Sequence, residues 1–350
     1  MRRHFAKVLM LFLSLTCFCL SPNAQNFENV GQYMEYISKT NEKLTSMYLS
    51  YLSAVGHNKS ARKVEKRRQE VVDNIFNGRL QIQGMPPWKG DRTYRDTTVA
   101  YLKLMYNVFN EDYAKIVNME EIAEQSYDAM EAYMLAQEKA NEKLQNASQR
   151  KQRTQKEFGE KYNVTIVDNT SELEKKSKQA SELMNHYDKV YLIFFKAYKQ
   201  ESYLMDAIEK KNITAIEQNK NALQGFAEEG LKTLKSLKGY NNDPSLIVAC
   251  QQALQFYNDE ARKVQFVTDF LLKDDGFAKM KKAFESKPAS KRTQQDIDSY
   301  NKGINEINNA VNSYNTINNQ VNKERSKAID HWNNTVSKYL DNYMPYQRKG

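Results

Sequence analysis

The stretch from about Lys291 to Leu340 contains no proline, and its apolar residues fall at helical spacing. Ile297, Tyr300, Ile304, Ile307, Val311 and Tyr314 step by 3, 4, 3, 4 and 3. After a stutter come Ile317 and Val321, then Ala328, Trp332 and Val336. Only a helix places such residues on one face, so this segment predicts a single long amphipathic helix. Asn301, Asn305, Asn308, Asn309 and Asn312 fill the other face. Asparagine is a mediocre helix former, so packing must supply much of the stability.

The same period recurs earlier. Tyr33, Ile37, Leu44, Tyr48, Tyr51 and Val55 predict a helix ending near Gly56. A second is expected from about Lys59 to Ile82, a third from Arg92 to Val117 and a fourth from Met119 to Tyr162. The whole chain of 350 residues has only 12 glycines and 6 prolines, and long stretches lack both. No run alternates convincingly as a strand. Val164-Thr165-Ile166-Val167 comes nearest and reads better as a connection. The fold class read from the sequence is all-α.

The two halves share punctuation. Gly84-Met-Pro-Pro-Trp-Lys-Gly-Asp reads as a turn, and Asp91 is placed to cap the following helix. Asp243-Pro244, 152 residues later, is a clearer helix start, with Asp as N-cap and Pro at N1. Ser50-Tyr51-Leu52 recurs as Ser202-Tyr203-Leu204, Val99-Ala100 as Val248-Ala249, and Tyr106 with Glu111 as Tyr257 with Glu260. Phe158 pairs with Trp332, which leaves 22 extra residues around Lys273 to Lys291 as loops or a short helix. We therefore expect two tandem four-helix-bundle-like repeats from an internal duplication, residues 25–167 and 168–350.

Residues 1–24 read as a signal peptide. Arg2, Arg3 and Lys7 precede an apolar run, Val8 to Leu20, of about 20 Å as a helix, too short to cross a bilayer. Cleavage is expected after Ala24. Cys17 and Cys19 lack the leucine three residues before and the small residue just before that a lipoprotein cysteine has. Release to the periplasm or cell surface is thus the expectation, and an outer-membrane lipid anchor the alternative. Losing three basic residues takes the formal charge from +9 to +6. That mild excess suits an anionic partner without requiring one.

Residues 86 to 96 (Pro-Pro-Trp-Lys-Gly-Asp-Arg-Thr-Tyr-Arg-Asp), the helix through Tyr106 and Glu111, and Glu157-Phe-Gly-Glu-Lys-Tyr-Asn163 resemble an uncharacterised family of exported helical surface proteins, named from spirochaetes and common in Bacteroidetes. The resemblance covers Gln25 to about Val164 best. It implies a helical fold and an envelope address. It implies no activity and carries over no site residue.

Little else points to chemistry. Cys250 sits in the apolar run Leu246 to Cys250 and reads as a core thiol. A di-iron bundle needs Glu-x-x-His pairs, but Ala54, Leu183 and Ala328 stand three residues before His57, His186 and His331. Glu182 and His186 are four apart and make one pair, short of a metal site. No phosphate loop, dinucleotide-binding glycine pattern or nucleophile elbow is present. The basic run Arg62 to Arg68 is broken by Glu65 and reads as a solvated face, so no nucleic acid is expected. No catalytic, metal or cofactor residue is assigned from the sequence, and no transmembrane span is expected. The reading is a non-catalytic envelope protein with a structural or interaction role. Its partner would be an envelope protein, a glycan or anionic lipid. The alternatives are a binding protein for glycan, peptide or lipid, with a tyrosine-lined groove where the bundles join, and an enzyme using helix-face carboxylates.

Overall fold

The structure, a computed structural model, describes residues 26–57, 60–112, 126–166 and 172–346. The expected signal peptide, with Cys17 and Cys19, lies outside the described residues, as does Val167. The described residues form helices joined by turns, with no strand among them, so the fold is all-α.

Helix α1 (Val30–Gly56) starts at Asn29, whose side chain accepts the Gln32 N–H. Helix α2 spans Ala61–Gln83. Helix α3 spans Thr93–Asn107 and passes into a π-turn, Val108–Asp112; the end expected at Val117 lies outside the described residues. Helix α4 (Tyr127–Lys161) is capped by Ser126; the start expected at Met119 lies outside the described residues. Then follow α5 (Glu172–Glu209), α6 (Ile213–Leu234, capped by Asn212), α7 (Ser245–Lys263), α8 (Gln265–Ser286) and α9 (Gln294–Tyr343). A capping box of Thr293 and Asp296 opens α9. The loop or short helix expected around Lys273 to Lys291 is largely the full helix α8; Phe266, Phe270 and Phe277 give it an apolar face against α9.

Among the described residues two large apolar cores form, with a small cluster around Met130 and Phe195. Tyr33, Ile37, Ile75, Leu102, Phe109 and Phe158 centre the first. Val190, Leu204, Leu223, Leu254, Tyr257 and Trp332 centre the second. Helix α1 lies along α5, and its Leu49 is buried in the second core.

Equivalent positions keep a strict register. At an offset of 152, buried Val71, Ile82, Thr98 and Leu102 match buried Leu223, Leu234, Cys250 and Leu254. For α1 and α5 the offset is 153, matching Ile37 with Val190, Leu44 with Ala197 and Tyr51 with Leu204, all buried. The connection 57–60 has one residue more than 210–212, which accounts for the step. The likeness of Ser50-Tyr51-Leu52 to Ser202-Tyr203-Leu204 is therefore one residue out of register: Tyr51 is buried and Tyr203 is 40% exposed. Val99-Ala100, Tyr106 and Glu111 likewise do not match the residues assigned to them. Phe158 corresponds to Tyr339 and not to Trp332, an offset of 181, so the second unit is longer by 181 less 152, or 29 residues. Those residues fall within α8, the connection after it and the distal part of α9. They make an arm in which the two helices pack mainly on each other. In α9 before Val321 only Gly303 and Ile307 are buried.

Candidate functional site

Three polar constellations stand out. Two of them are one motif used twice. Trp88 and Asp91 exchange backbone hydrogen bonds at 2.9 and 3.0 Å around Lys89 and Gly90, whose φ values are 49° and 84°. Tyr240 and Asp243 face each other across Asn241 and Asn242, at φ 51° and 63°. Two central residues at positive φ are what a type I′ turn requires, and Gly and Asn tolerate that region best. Each turn delivers its Asp to the next helix. Asp91 Oδ1 accepts the Thr93 N–H at 2.9 Å, and Asp243 Oδ1 accepts the Ser245 N–H at 2.8 Å. Each Asp thus satisfies the first N–H of its helix, but from one position further out than expected: Arg92 and Pro244 are the N-cap residues, and Pro244 is not at N1.

The second carboxylate oxygen does something further. Asp91 Oδ2 accepts from Lys161 Nζ at 2.7 Å and from the Tyr162 hydroxyl at 3.2 Å. Asp243 Oδ2 accepts from the Tyr343 hydroxyl at 2.9 Å. Each Asp thus ties the start of the third helix of its unit to the end of the last. The Lys161 ammonium, then Thr93, holds the Asp91 carboxyl well below the usual range. At Asp243 burial works the other way, but hydrogen bonds from Ser245 and Tyr343 outweigh it and the carboxyl is again lowered. A ring sits beneath each turn. Tyr33 lies 5.8 Å from Trp88 and 5.9 Å from Phe158, and His186 lies 6.3 Å from both Tyr240 and Tyr339. His186 is lowered by burial and by nearby Lys189, which suits a neutral ring packed on aromatics. An open polar depression of about 690 Å³ lies over the first turn, lined by Lys89, Arg92, Asp96 and Lys161 among others.

The third constellation is buried in the second unit. Arg325 of α9 donates to Glu201 of α5 and to Glu260 of α7. Glu201 is 6% exposed and Glu260 2%. Glu260 Oε2 is buried with no hydrogen-bond partner among the described residues, and two carboxyls on one guanidinium in a buried site favour one of them keeping its proton. Burial first, then the Glu201 charge, pushes Glu260 up to about 8. Tyr257 lies beside them, its hydroxyl buried and raised by the same surroundings. Two acids sharing one guanidinium could perform proton-transfer chemistry only if a substrate reached them. Here they join three helices across a packed core.

The sequence did not single out this cluster, although one signal was available. Glu260 falls on the apolar stripe of α7, three residues after Tyr257 and next to Ala261, both buried. An acid on a buried stripe needs a partner. Which partner is set by the crossing of α7 with α9, 65 residues away in the chain, and no local pattern encodes that.

The remaining candidates are scattered. Cys250 is fully buried, its thiol 3.8 Å from the Val190 carbonyl and raised by burial, which makes it unreactive. His57 Nδ1 lies 2.6 Å from Asp341 Oδ1, and its ring stacks on Tyr346 at 4.2 Å. This joins the end of α1 to the end of α9. His331 is exposed. Glu182, four residues from His186, lies 3.8 Å from Lys178. Among the described residues no three metal-ligating acids, histidines or cysteines converge. Lys151 lies over the Tyr101 ring at 5.2 Å and is lowered by burial to about 8. Among the described residues no helix is long and apolar enough to cross a membrane.

Comparison with known protein families, with curated proteins and with solved structures finds no match to this chain.

Proposed function

We propose that this chain is a non-catalytic protein of the bacterial cell envelope, exported to the periplasm or surface and acting through contact with another macromolecule. The observation that carries this reading is where the polar chemistry is spent. Asp91, Asp243 and the Arg325–Glu201–Glu260 cluster each join helix to helix within a unit. Groups committed to holding the frame are poorly placed to turn over a substrate. The twinned turns and two cores supply a rigid body, and the arm adds exposed surface that closing a core does not require. The resemblance to exported surface proteins fits the same reading.

The test is native isolation of the full chain from its own host, with cross-linking and mass spectrometry of what stays bound. A captured macromolecule whose retention survives Glu260→Gln is expected. A turnover lost in Glu260→Gln while melting and circular dichroism stay unchanged would replace this reading with the enzyme one.

A further inference from the structure

The arm carries a surface that its own packing does not use. Along α9, Asn301, Asn305, Asn308, Asn312, Asn315, Asn319 and Asn322 step by 4, 3, 4, 3, 4 and 3, and all seven are exposed. They flank the seam through which Tyr300 and Tyr314 stack on Phe284 and Phe270 of α8. Only the basal member is engaged from α9 itself, where Asn322 accepts from Arg325. Between Glu306 and Lys323 no residue is charged, in a chain where 27% of residues are. Across the same arm α8 exposes Lys273, Asp275, Lys279 and Lys282 in the usual way. Solvation alone does not select this pattern. Nine asparagines in residues 301–322 are a poor choice for a helix face that Lys, Glu or Gln would solvate with better helix propensity.

The chemistry of the stripe narrows its occupant. A carboxamide offers two donors and an acceptor and no charge. Nucleic acid or anionic lipid would call for Lys and Arg, and an amphipathic peptide for an apolar groove. A chain of hydroxyls without charge matches what is displayed. The spacing agrees: 3.5 residues per step at about 1.5 Å per residue gives one carboxamide roughly every 5 Å. That is close to the advance of one sugar in an extended β-1,4-linked chain. The seven-residue stripe, about 30 Å long, would span some six sugars. We infer that the exposed asparagine stripe of α9 binds an extended, uncharged β-1,4-linked polysaccharide; this rests on the interaction reading above and names its ligand class.

The test runs the full chain through native gels containing hydroxyethylcellulose, with carboxymethylcellulose as the charged counterpart, and titrates chitohexaose by calorimetry. Retardation in the neutral gel and saturable chitohexaose binding are expected. A variant carrying Asn308→Glu, Asn312→Glu, Asn315→Glu and Asn319→Glu should keep its helix content and bind at least tenfold more weakly. Lys279→Gln with Lys282→Gln, on the other helix of the arm, should bind like the parent. Normal mobility of the parent in the neutral gel with no heat from chitohexaose overturns the inference. So does a Glu variant that binds as the parent does. If native isolation yields a protein partner that the Glu variant also retains, the polysaccharide inference fails and the interaction reading stands. If isolation captures nothing, the interaction reading fails by itself.

Discussion

Asp243 accepts a hydrogen bond from the Tyr343 hydroxyl at 2.9 Å, joining the start of α7 to the end of α9. Asp91 accepts from Tyr162 at 3.2 Å in the first unit, joining α3 to α4 in the same way. The carboxylate is used from both sides, and that determines what a substitution does. Asp→Ala at either position removes the hydrogen bond to an otherwise unpaired helix N–H, worth about 0.5–2 kcal/mol, and also the tie. Asp→Asn keeps the capping oxygen but can turn its NH2 toward a hydroxyl at Asp243, and toward an ammonium at Asp91. We expect Asp243→Asn to recover most of the loss and Asp91→Asn distinctly less, because Lys161 cannot donate to an NH2 group. Thermal melts of the four variants decide this. Equal recovery at both positions would leave the Lys161 contact without energetic weight. Both carboxyls are lowered in the folded state, so their contribution is present above the ordinary Asp range and fades as pH falls below it.

Gly239 precedes the second turn. A Cβ there would meet the Asp243 carbonyl oxygen at 2.3 Å, a backbone atom that cannot swing aside. Gly239→Ala should cost about 1–3 kcal/mol, as overpacking does. Gly225, inside α6, has open space around its Cβ position. Gly225→Ala should stabilise by roughly 0.5–1 kcal/mol through helix propensity. Denaturant titration of the two variants should therefore move the midpoint in opposite directions.

The helices were readable because their apolar residues keep the 3.6 period, and the turns because Asp91 and Asp243-Pro244 are strong helix starts. Register was harder. Ser-Tyr-Leu occurs twice at an offset of 152, but burial assigns α1 and α5 an offset of 153. Letter identity on a solvated face says little about position, whereas the buried stripe does. The pairing of Phe158 with Trp332 failed similarly. Both are buried aromatics, yet the residue that packs on His186 as Phe158 packs on Tyr33 is Tyr339, and only that contact identifies it. Helix α8 reads from the sequence as no more than loops or a short helix because its apolar face, Phe266, Phe270 and Phe277, is thin and meets one partner helix instead of a full core. The buried cluster of Glu201, Glu260 and Arg325 depends on how three helices cross, which no stretch of sequence encodes.

The arm should open separately from the body. Its distal part is held by ring stacking, Phe284 on Tyr300 at 4.2 Å, and by the capping box that Thr293 forms with Asp296. Lys287 also pairs with Asp296, and with Thr293 it lowers that carboxyl. Thr293→Ala removes a cap worth about 0.5–2 kcal/mol from a helix end with few other contacts. Hydrogen exchange should speed up across the first turns of α9 and the end of α8, while protection around Leu254 and Trp332 holds. Uniform acceleration through the second core would show that arm and body unfold as one unit.

Glu260 gives the clearest dependence on pH. Its carboxyl faces Glu201 from α5, Arg325 from α9 and Tyr257 on its own helix, and it is pushed up to about 8 from 4.5. The folded chain therefore holds a proton that the unfolded chain releases from about pH 4.5 upward. The stabilisation linked to that proton is full below about 4.5 and is lost as pH rises through about 8. Above that, two buried carboxylates compete for one guanidinium. Glu260→Gln fixes the neutral state. It keeps an oxygen that can accept from Arg325 and an NH2 that can donate to Glu201, and it removes the titration. Its melting temperature should change less between pH 5 and 9, within about that window, than that of the parent. The two melting curves should lie close together near pH 5 and separate toward pH 9, with Gln the more stable. Glu201→Gln is the comparison: it leaves Glu260 paired with Arg325 and free of the neighbouring negative charge, so the titration should move to lower pH instead of vanishing. If the parent and Glu260→Gln keep parallel melting temperatures from pH 5 to 9, no proton is exchanged at this cluster, and the description of Glu260 as the protonated acid is wrong.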